Sequence, residues 1–300
     1  MIYYPYFRGR QFDLRALTEF AGQAETPNVM PIIEPVRDVP ALPKTIETFS
    51  QRQQPLAVIQ NPQVDHYHFQ AAKRYPIEDL FQQPEIQRAY ILTPLLPPQL
   101  LANSLVIVQH YADLKLFLDH DWLPDSATLL VPPEARIRRL LTGRRFGHLF
   151  DHYAVPEHSF EFTQLPDSFW SNDIEFAQQY HEIGFSDYLT QGAPYFERGH
   201  PSRIVTLHLI YLANDQVRIR HFVSDQHEDF KHQRNKFFEA LTKAVAWIKT
   251  QPVINQTTAT TKLVALADEH HFPGMGVLKA LTIEHHLEIM ARYLKLTAPN

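Results

Sequence analysis

The chain of 300 residues has no cysteine. Disulfides, thiol nucleophiles and cysteine-ligated zinc or iron–sulfur centres are therefore excluded. Glycine is scarce, at 9 residues, and no GxGxxG fingerprint, Walker A loop or G-x-S-x-G elbow occurs. P-loop nucleotide hydrolysis and serine-hydrolase chemistry thus lack the backbone devices they depend on. No apolar run reaches the roughly 18 residues a membrane helix needs. The opening Met1-Ile2-Tyr3-Tyr4-Pro5-Tyr6 lacks the basic start and apolar core of a secretory signal, so a cytoplasmic protein is expected. A cationic excess is also missing. Asp and Glu number 33 against 28 Lys and Arg, for a formal charge of −5 and a pI near 6.4. This argues against a uniformly basic nucleic-acid binder and leaves local basic patches open.

Proline and apolar residues are abundant, at 23 residues and 44% of the chain. Pro35, Pro55, Pro62, Pro76, Pro94, Pro132 and Pro133 flank apolar runs, where a residue without an N–H starts or stops an element. Strand-like runs fall at 29–36, 56–60, 90–95, 105–109, 128–131, 148–150, 184–188 and 204–212. Helical spacing lies between most of them, as at Phe12, Ala16, Leu17 and Phe20, or Leu42, Ile46 and Phe49. The alternation predicts an α/β fold, a TIM-like (β/α) barrel of some irregularity over residues 1–250. Ala213-Asn214-Asp215 predicts a late β-hairpin turn, followed by a long amphipathic helix at 230–248. Residues 251–300 read as two helices split by Phe272-Pro273-Gly274, a C-terminal helical extension packed on the barrel.

Several strand runs end in polar residues: Glu34, Gln60-Asn61, Gln109-His110, Asp151 and Asp187. In a parallel barrel such residues share one rim, where sites are built. Glu34, Asp151 and Asp187 are the charged ones. Converging, they could hold Mg²⁺ or Mn²⁺ and activate water; apart, each would cap a helix or pair with an arginine. Arg37, Asn61 and His110 are candidate ligand-binding residues on the same rim. His208 and His221 fall in neighbouring strands of the predicted hairpin, where either could serve as general base or be satisfied within the sheet. The other paired histidines, His270-His271 and His285-His286, read as surface or packing residues, because neighbours on a helix point apart. Arg136, Arg138, Arg139, Arg144 and Arg145 form the densest positive segment, a solvated helix face or a phosphate grip.

Four stretches carry a family resemblance: Tyr3 to Leu17, Met30-Pro31-Ile32-Ile33-Glu34-Pro35-Val36, Gly184-Phe185-Ser186-Asp187-Tyr188, and Leu207-His208-Leu209 with Ile219-Arg220-His221-Phe222. Together they resemble the Beta-protein family, named for a phage-satellite protein and including sce-type bacterial relatives. The resemblance implies a barrel-like α/β fold and a setting in mobile elements and phage-defence loci, beside a co-encoded nuclease-like partner. It transfers no catalytic residue set. The functional expectation is a defence-associated protein whose barrel rim binds an anionic or phosphate-bearing ligand, as a metal-dependent phosphodiesterase or nuclease. The alternative is a non-catalytic sensor or scaffold that docks a partner nuclease. Nucleic acid is a weaker partner expectation, resting on the arginine segment.

Overall fold

The computed structural model describes residues 1–23, 28–64, 66–69, 71, 73–153, 159–196, 203–225 and 229–297. In chain order, its strands and helices are β1 Ile2–Tyr3, β2 Tyr6–Phe7, α1 Gln11–Ala21, β3 Ile32–Ile33, α2 Ala41–Gln51, β4 Leu56–Ile59, β5 Ile86–Ile91, β6 Leu105–Ile107, α3 Tyr111–Asp119, β7 Thr128–Val131, α4 Ala135–Leu140 and β8 Phe146–Phe150. There follow β9 Asp167–Ser171, α5 Asp173–Gln179, β10 Gly184–Asp187, β11 Thr206–Ala213, β12 Gln216–Val223, α6 Gln233–Ile248, α7 Thr258–Asp268 and α8 Met275–Thr297. The chain forms two compact units. Among the described residues, the first holds Met1–Asp151 and Asp173–Tyr188, and the second His152–Asn172 and Leu189–Thr297. The chain does not divide at residue 250 as expected, because the late hairpin belongs with the C-terminal helices and recruits β9 from between β8 and α5.

The first unit is an α/β fold around a nine-stranded sheet in the order β1-β10-β8-β7-β6-β5-β4-β3-β2. Every pairing in it is parallel. The sheet curls. Tyr4, Tyr6, Ile32, Ile59, Ile91, Ile107, Leu130 and Leu149 come from along the whole strand order yet form one buried cluster. Their sequence neighbours Val106, Val108, Leu129 and Val131 point to the opposite face, where they meet Leu114, Phe117 and Ile137 of α3 and α4. Burial on both faces is why these strands read as unbroken apolar runs.

The two ends of the strand order, β1 and β2, are separated in sequence only by Tyr4-Pro5. The Tyr4 N–H donates to the Phe185 carbonyl at 2.8 Å, and the Pro5 carbonyl accepts from Ile32 at 2.8 Å. Pro5, with no N–H, interrupts the ladder without ending the extended run. Glycine is required beside this segment. A Cβ on Gly184 would run into the Ile2 carbonyl, and one on Gly147 into the Gly184 carbonyl. The eighth strand expected in the parallel sheet, 204–212, is not in it; the Tyr-rich opening takes that place.

The second unit is a separate antiparallel sheet, β11-β12-β9, with three helices. The hairpin turn sits where Asn214 and Asp215 predict it, both at positive φ of 51° and 58°. Leu207, Leu209 and Phe222 pack against Phe237, Leu241 and Ala244 of α6 and Leu263 of α7. Helix α8 buries a polar run that includes Glu284, His285, His286 and Glu288. His285 Nε2 donates to the Ile210 carbonyl at 2.7 Å, and its Nδ1 meets Thr257 Oγ1 at 2.9 Å. Glu288 accepts from the Thr258 N–H at 3.0 Å at the start of α7, where an anion complements the helix dipole. Among the described residues, no helix is long and apolar enough to cross a membrane.

Candidate functional site

In the first unit, strands end at Glu34, Asp151 and Asp187, as predicted for a rim. Each is committed to the protein differently. Glu34 is fully buried; its Oε2 accepts from the Tyr6 hydroxyl at 2.6 Å and pairs with Arg8, and its Oε1 accepts from the Gln63 N–H at 2.7 Å. The Arg8 guanidinium lies 5.1 Å from the Tyr6 ring and 5.6 Å from the Tyr188 ring, which stand 4.9 Å apart. Asp187, 1% exposed, accepts from the Tyr3 hydroxyl at 2.7 Å. Asp151 is half-buried just past β8. Burial pushes the Tyr188 hydroxyl up to about 12; Arg8 opposes this, and Glu34 and Asp151 add to it.

The donor set for Mg²⁺ or Mn²⁺ does not fit. Among the described residues, no group of three His, Asp or Glu side chains could hold a metal ion. The reason is visible at Glu34, whose oxygens are taken by three protein donors. The other rim expectations separate as well. Asn61 bridges to β5, its amide donating to the Ile91 carbonyl at 2.8 Å and its oxygen accepting from the Ile91 N–H at 2.9 Å. His110 is exposed at the start of α3 without a capping bond, and Arg37 is exposed. The arginine segment is partly spent: Arg136 pairs with Glu134, Arg144 with Asp125 and Arg138 with Glu182. Arg8, partly buried, is already paired with Glu34 at the rim.

A different arrangement occurs in the second unit. His208 and His221 are direct cross-strand partners. Their Nδ1 atoms meet at 2.6 Å, and Tyr153 Oη lies 3.0 Å from His208 Nε2. Phe162 contacts both imidazoles, meeting His208 edge-on with ring centres 4.9 Å apart and lying over His221 at 4.3 Å with the planes tilted by 30°. Burial pushes His221 down to about 4; Asp167 works against this and Arg220 with it. Burial and the adjacent His221 push His208 down to about 3. Both rings are therefore neutral at pH 7, so one Nδ1–H donates to the other Nδ1. His221 Nε2 makes no hydrogen bond among the described residues.

His221 lines an open cleft of about 570 Å³, with Phe162, Trp247, Arg220, Lys243 and Asp225 on its walls. Arg220 reaches it from β12, donating through Nη1 to Asp167 at 3.2 Å. Arg218 and Tyr211 converge on the same carboxylate, at 2.7 and 2.6 Å. Burial opposes ionisation of Asp167, but these three donors prevail and hold it below the usual carboxylate range. Arg220 Nε is buried and has no partner among the described residues. Lys243 comes from α6, donating to the Val223 carbonyl at 2.7 Å and to the exposed Asp225 at 2.7 Å. The histidine pair was readable from the hairpin; Tyr153, Arg220 and Lys243 were not singled out. The one available signal was the alternation Arg218-x-Arg220, which puts both arginines on one face of a strand. No known family model matches the chain, and no curated protein is significantly similar to it.

Proposed function

We propose that the chain binds a small anionic, phosphate-bearing ligand, and that the cleft of the second unit is where it does so. One observation carries this reading: a guanidinium nitrogen of Arg220, a residue of the cleft wall, is buried without an acceptor among the described residues. A buried donor left unpaired costs about 1–3 kcal/mol, which a phosphate oxygen would recover. Lys243 supplies a second cation, and its present partner Asp225 is exposed, so an incoming anion displaces only a weak surface pair. Phe162 and Trp247 offer apolar surface to a ring carried by the same ligand. The cleft volume, about 570 Å³, falls within the range of small-molecule sites.

Calorimetric titration with inorganic phosphate and with phenyl phosphate tests the reading on wild type and Arg220→Gln. The expected result is tighter binding of phenyl phosphate and a loss of about tenfold or more in Arg220→Gln. Absence of binding, or equal binding by the variant, overturns it.

For the first unit, we infer closure of the parallel sheet as a TIM-like (β/α) barrel. The support is the two-residue spacing between the strands at its two ends and the single interior cluster drawn from along the whole strand order.

A further inference from the structure

We propose, resting on the anion-binding reading above, that the ligand of this cleft is a nucleoside monophosphate. Its phosphate sits on Arg220 and Lys243 and its base on the Trp247 indole.

These three side chains stand on one side of the sheet. Arg220 is paired across the strands with Leu209, and Phe222 lies two residues further along β12. Leu209 and Phe222 both pack on α6, and alternation along the strand puts Arg220 on that same face. From α6, Lys243 and Trp247 line the cleft with Arg220. Tyr211 ties the two walls together. Its ring centre lies 5.1 Å from that of Trp247, and its hydroxyl donates to the Asp167 oxygen that Arg220 also meets.

Arg220 meets Asp167 through Nη1 alone. Its Nε–Nη2 edge, a fork suited to two oxygens of one phosphate, makes no hydrogen bond among the described residues. Trp247 follows Lys243 by four residues on α6, so the two share a face about 6 Å apart along the axis. The sugar of a nucleotide spans that step between phosphate and base. Trp247 is half-buried, and its ring neighbours Tyr211 and Phe222 meet it at 80° and 56°. No ring of the described residues therefore lies parallel on the indole, and an aromatic face of this kind is what a base stacks on.

Size and charge narrow the class. At about 30 Å³ per water-sized atom, the cleft volume of about 570 Å³ corresponds to about 19 non-hydrogen atoms. That is more than phenyl phosphate has and close to a nucleoside monophosphate. The cations on the cleft wall, Arg220 and Lys243, match one phosphate dianion. Asp225, 2.7 Å from Lys243 Nζ, repels a second phosphate.

Calorimetry on the full chain compares AMP, GMP, CMP and UMP with ribose 5-phosphate and with ADP. At least one of the four monophosphates is expected to bind about fivefold or more tighter than ribose 5-phosphate, the scale of one base stacked on an aromatic side chain. ADP is expected to bind no tighter than AMP. Trp247→Leu should remove the preference and leave ribose 5-phosphate affinity unchanged, which also shows its cleft intact; Trp247→Tyr should keep most of the preference. A third arm needs no change at the cleft. In Trp122→Phe/Trp170→Phe, Trp247 is the remaining tryptophan, and the bound nucleotide should quench its emission. Equal binding of ribose 5-phosphate and all four monophosphates, a preference that survives Trp247→Leu, or emission that no nucleotide changes overturns the assignment and leaves the anion reading standing. ADP binding tighter than AMP overturns the restriction to a monophosphate. No binding of any of these phosphates overturns both readings.

Discussion

The charged cluster beneath α5 should make the first unit lose stability as pH rises from neutrality. His148 is 1% exposed on β8, between Glu182 at 2.5 Å from its Nδ1 and Asp173 at 3.0 Å from its Nε2. Arg138 reaches the same Glu182 at 3.0 Å and lies 4.3 Å from the Phe176 ring centre and 4.4 Å from that of Tyr180. Burial alone would lower the His148 pKa, but hydrogen bonds to the two carboxylates prevail and lift it from 6.5 to about 9. Between those values the folded state holds a proton that the unfolded state has released. Stability from this group is therefore complete below pH 6.5 and gone above about 9. At about 1.4 kcal/mol per tenfold change in proton affinity, the loss across that window is roughly 3 kcal/mol. That is a large share of the 5–15 kcal/mol of roughly typical domain stability. Trp122 is the first unit's only tryptophan, so urea unfolding followed by its emission in a Trp170→Phe/Trp247→Phe background reports on this unit. Stability should fall by about that amount between pH 6.5 and 9. His148→Gln should abolish the slope and cost about 3 kcal/mol or more at pH 6, where it leaves two buried carboxylates without their cation. A flat wild-type profile, or a slope that survives His148→Gln, refutes the reasoning.

Three further outcomes are expected. On the acid side, burial holds His221 and His285 each down to about 4, so the second unit should lose stability as pH falls from 6.5 towards 4; unfolding read from Trp170 and Trp247 emission should show a shallower acid slope in His285→Gln. Gly184→Ala should destabilise the first unit by about 1–3 kcal/mol, because the new methyl meets the Ile2 carbonyl; an unchanged urea midpoint would contradict that packing. Glu288→Ala should cost about 1 kcal/mol by uncapping α7, measurable by thermal denaturation of the second unit.

The parallel strands were legible because both faces are buried, which writes each strand as an apolar run. Two stretches, holding three strands, escaped for different reasons. Ile2 to Phe7 carries aromatic rings and a proline, so it resembles a plug or an edge. Asp167–Ser171 reads Asp-Ser-Phe-Trp-Ser, without alternation and without an apolar run, so only its pairing with β12 makes it a strand. His208 and His221 were legible as a pair because strand register around a two-residue turn puts them opposite each other. The rim carboxylates were legible as positions but not as roles. The tyrosines that occupy Glu34 and Asp187 arrive from the opening segment, far away in sequence. Tyr153, Arg220 and Lys243 meet only through tertiary packing, and nothing local to any of them announces the cleft.

The opening hexapeptide also imposes an order on biosynthesis. Its first strand pairs with Gly184 and Phe185, and its second with Ile32 and Ile33. The β2–β3 side can zip as soon as Ile33 has been made. Tyr3 of β1 can bridge to Val29 early, but the side of β1 that faces β10 has no partner until residue 184 has been made, roughly 8–30 s later at the usual 5–20 residues per second. Until then the nascent sheet exposes two open edges at once, β1 and whichever strand was made last. Such edges pair readily with a neighbouring chain. Slow synthesis, or a pause before residue 184, should therefore raise the fraction of chains that need a chaperone to reach the native sheet.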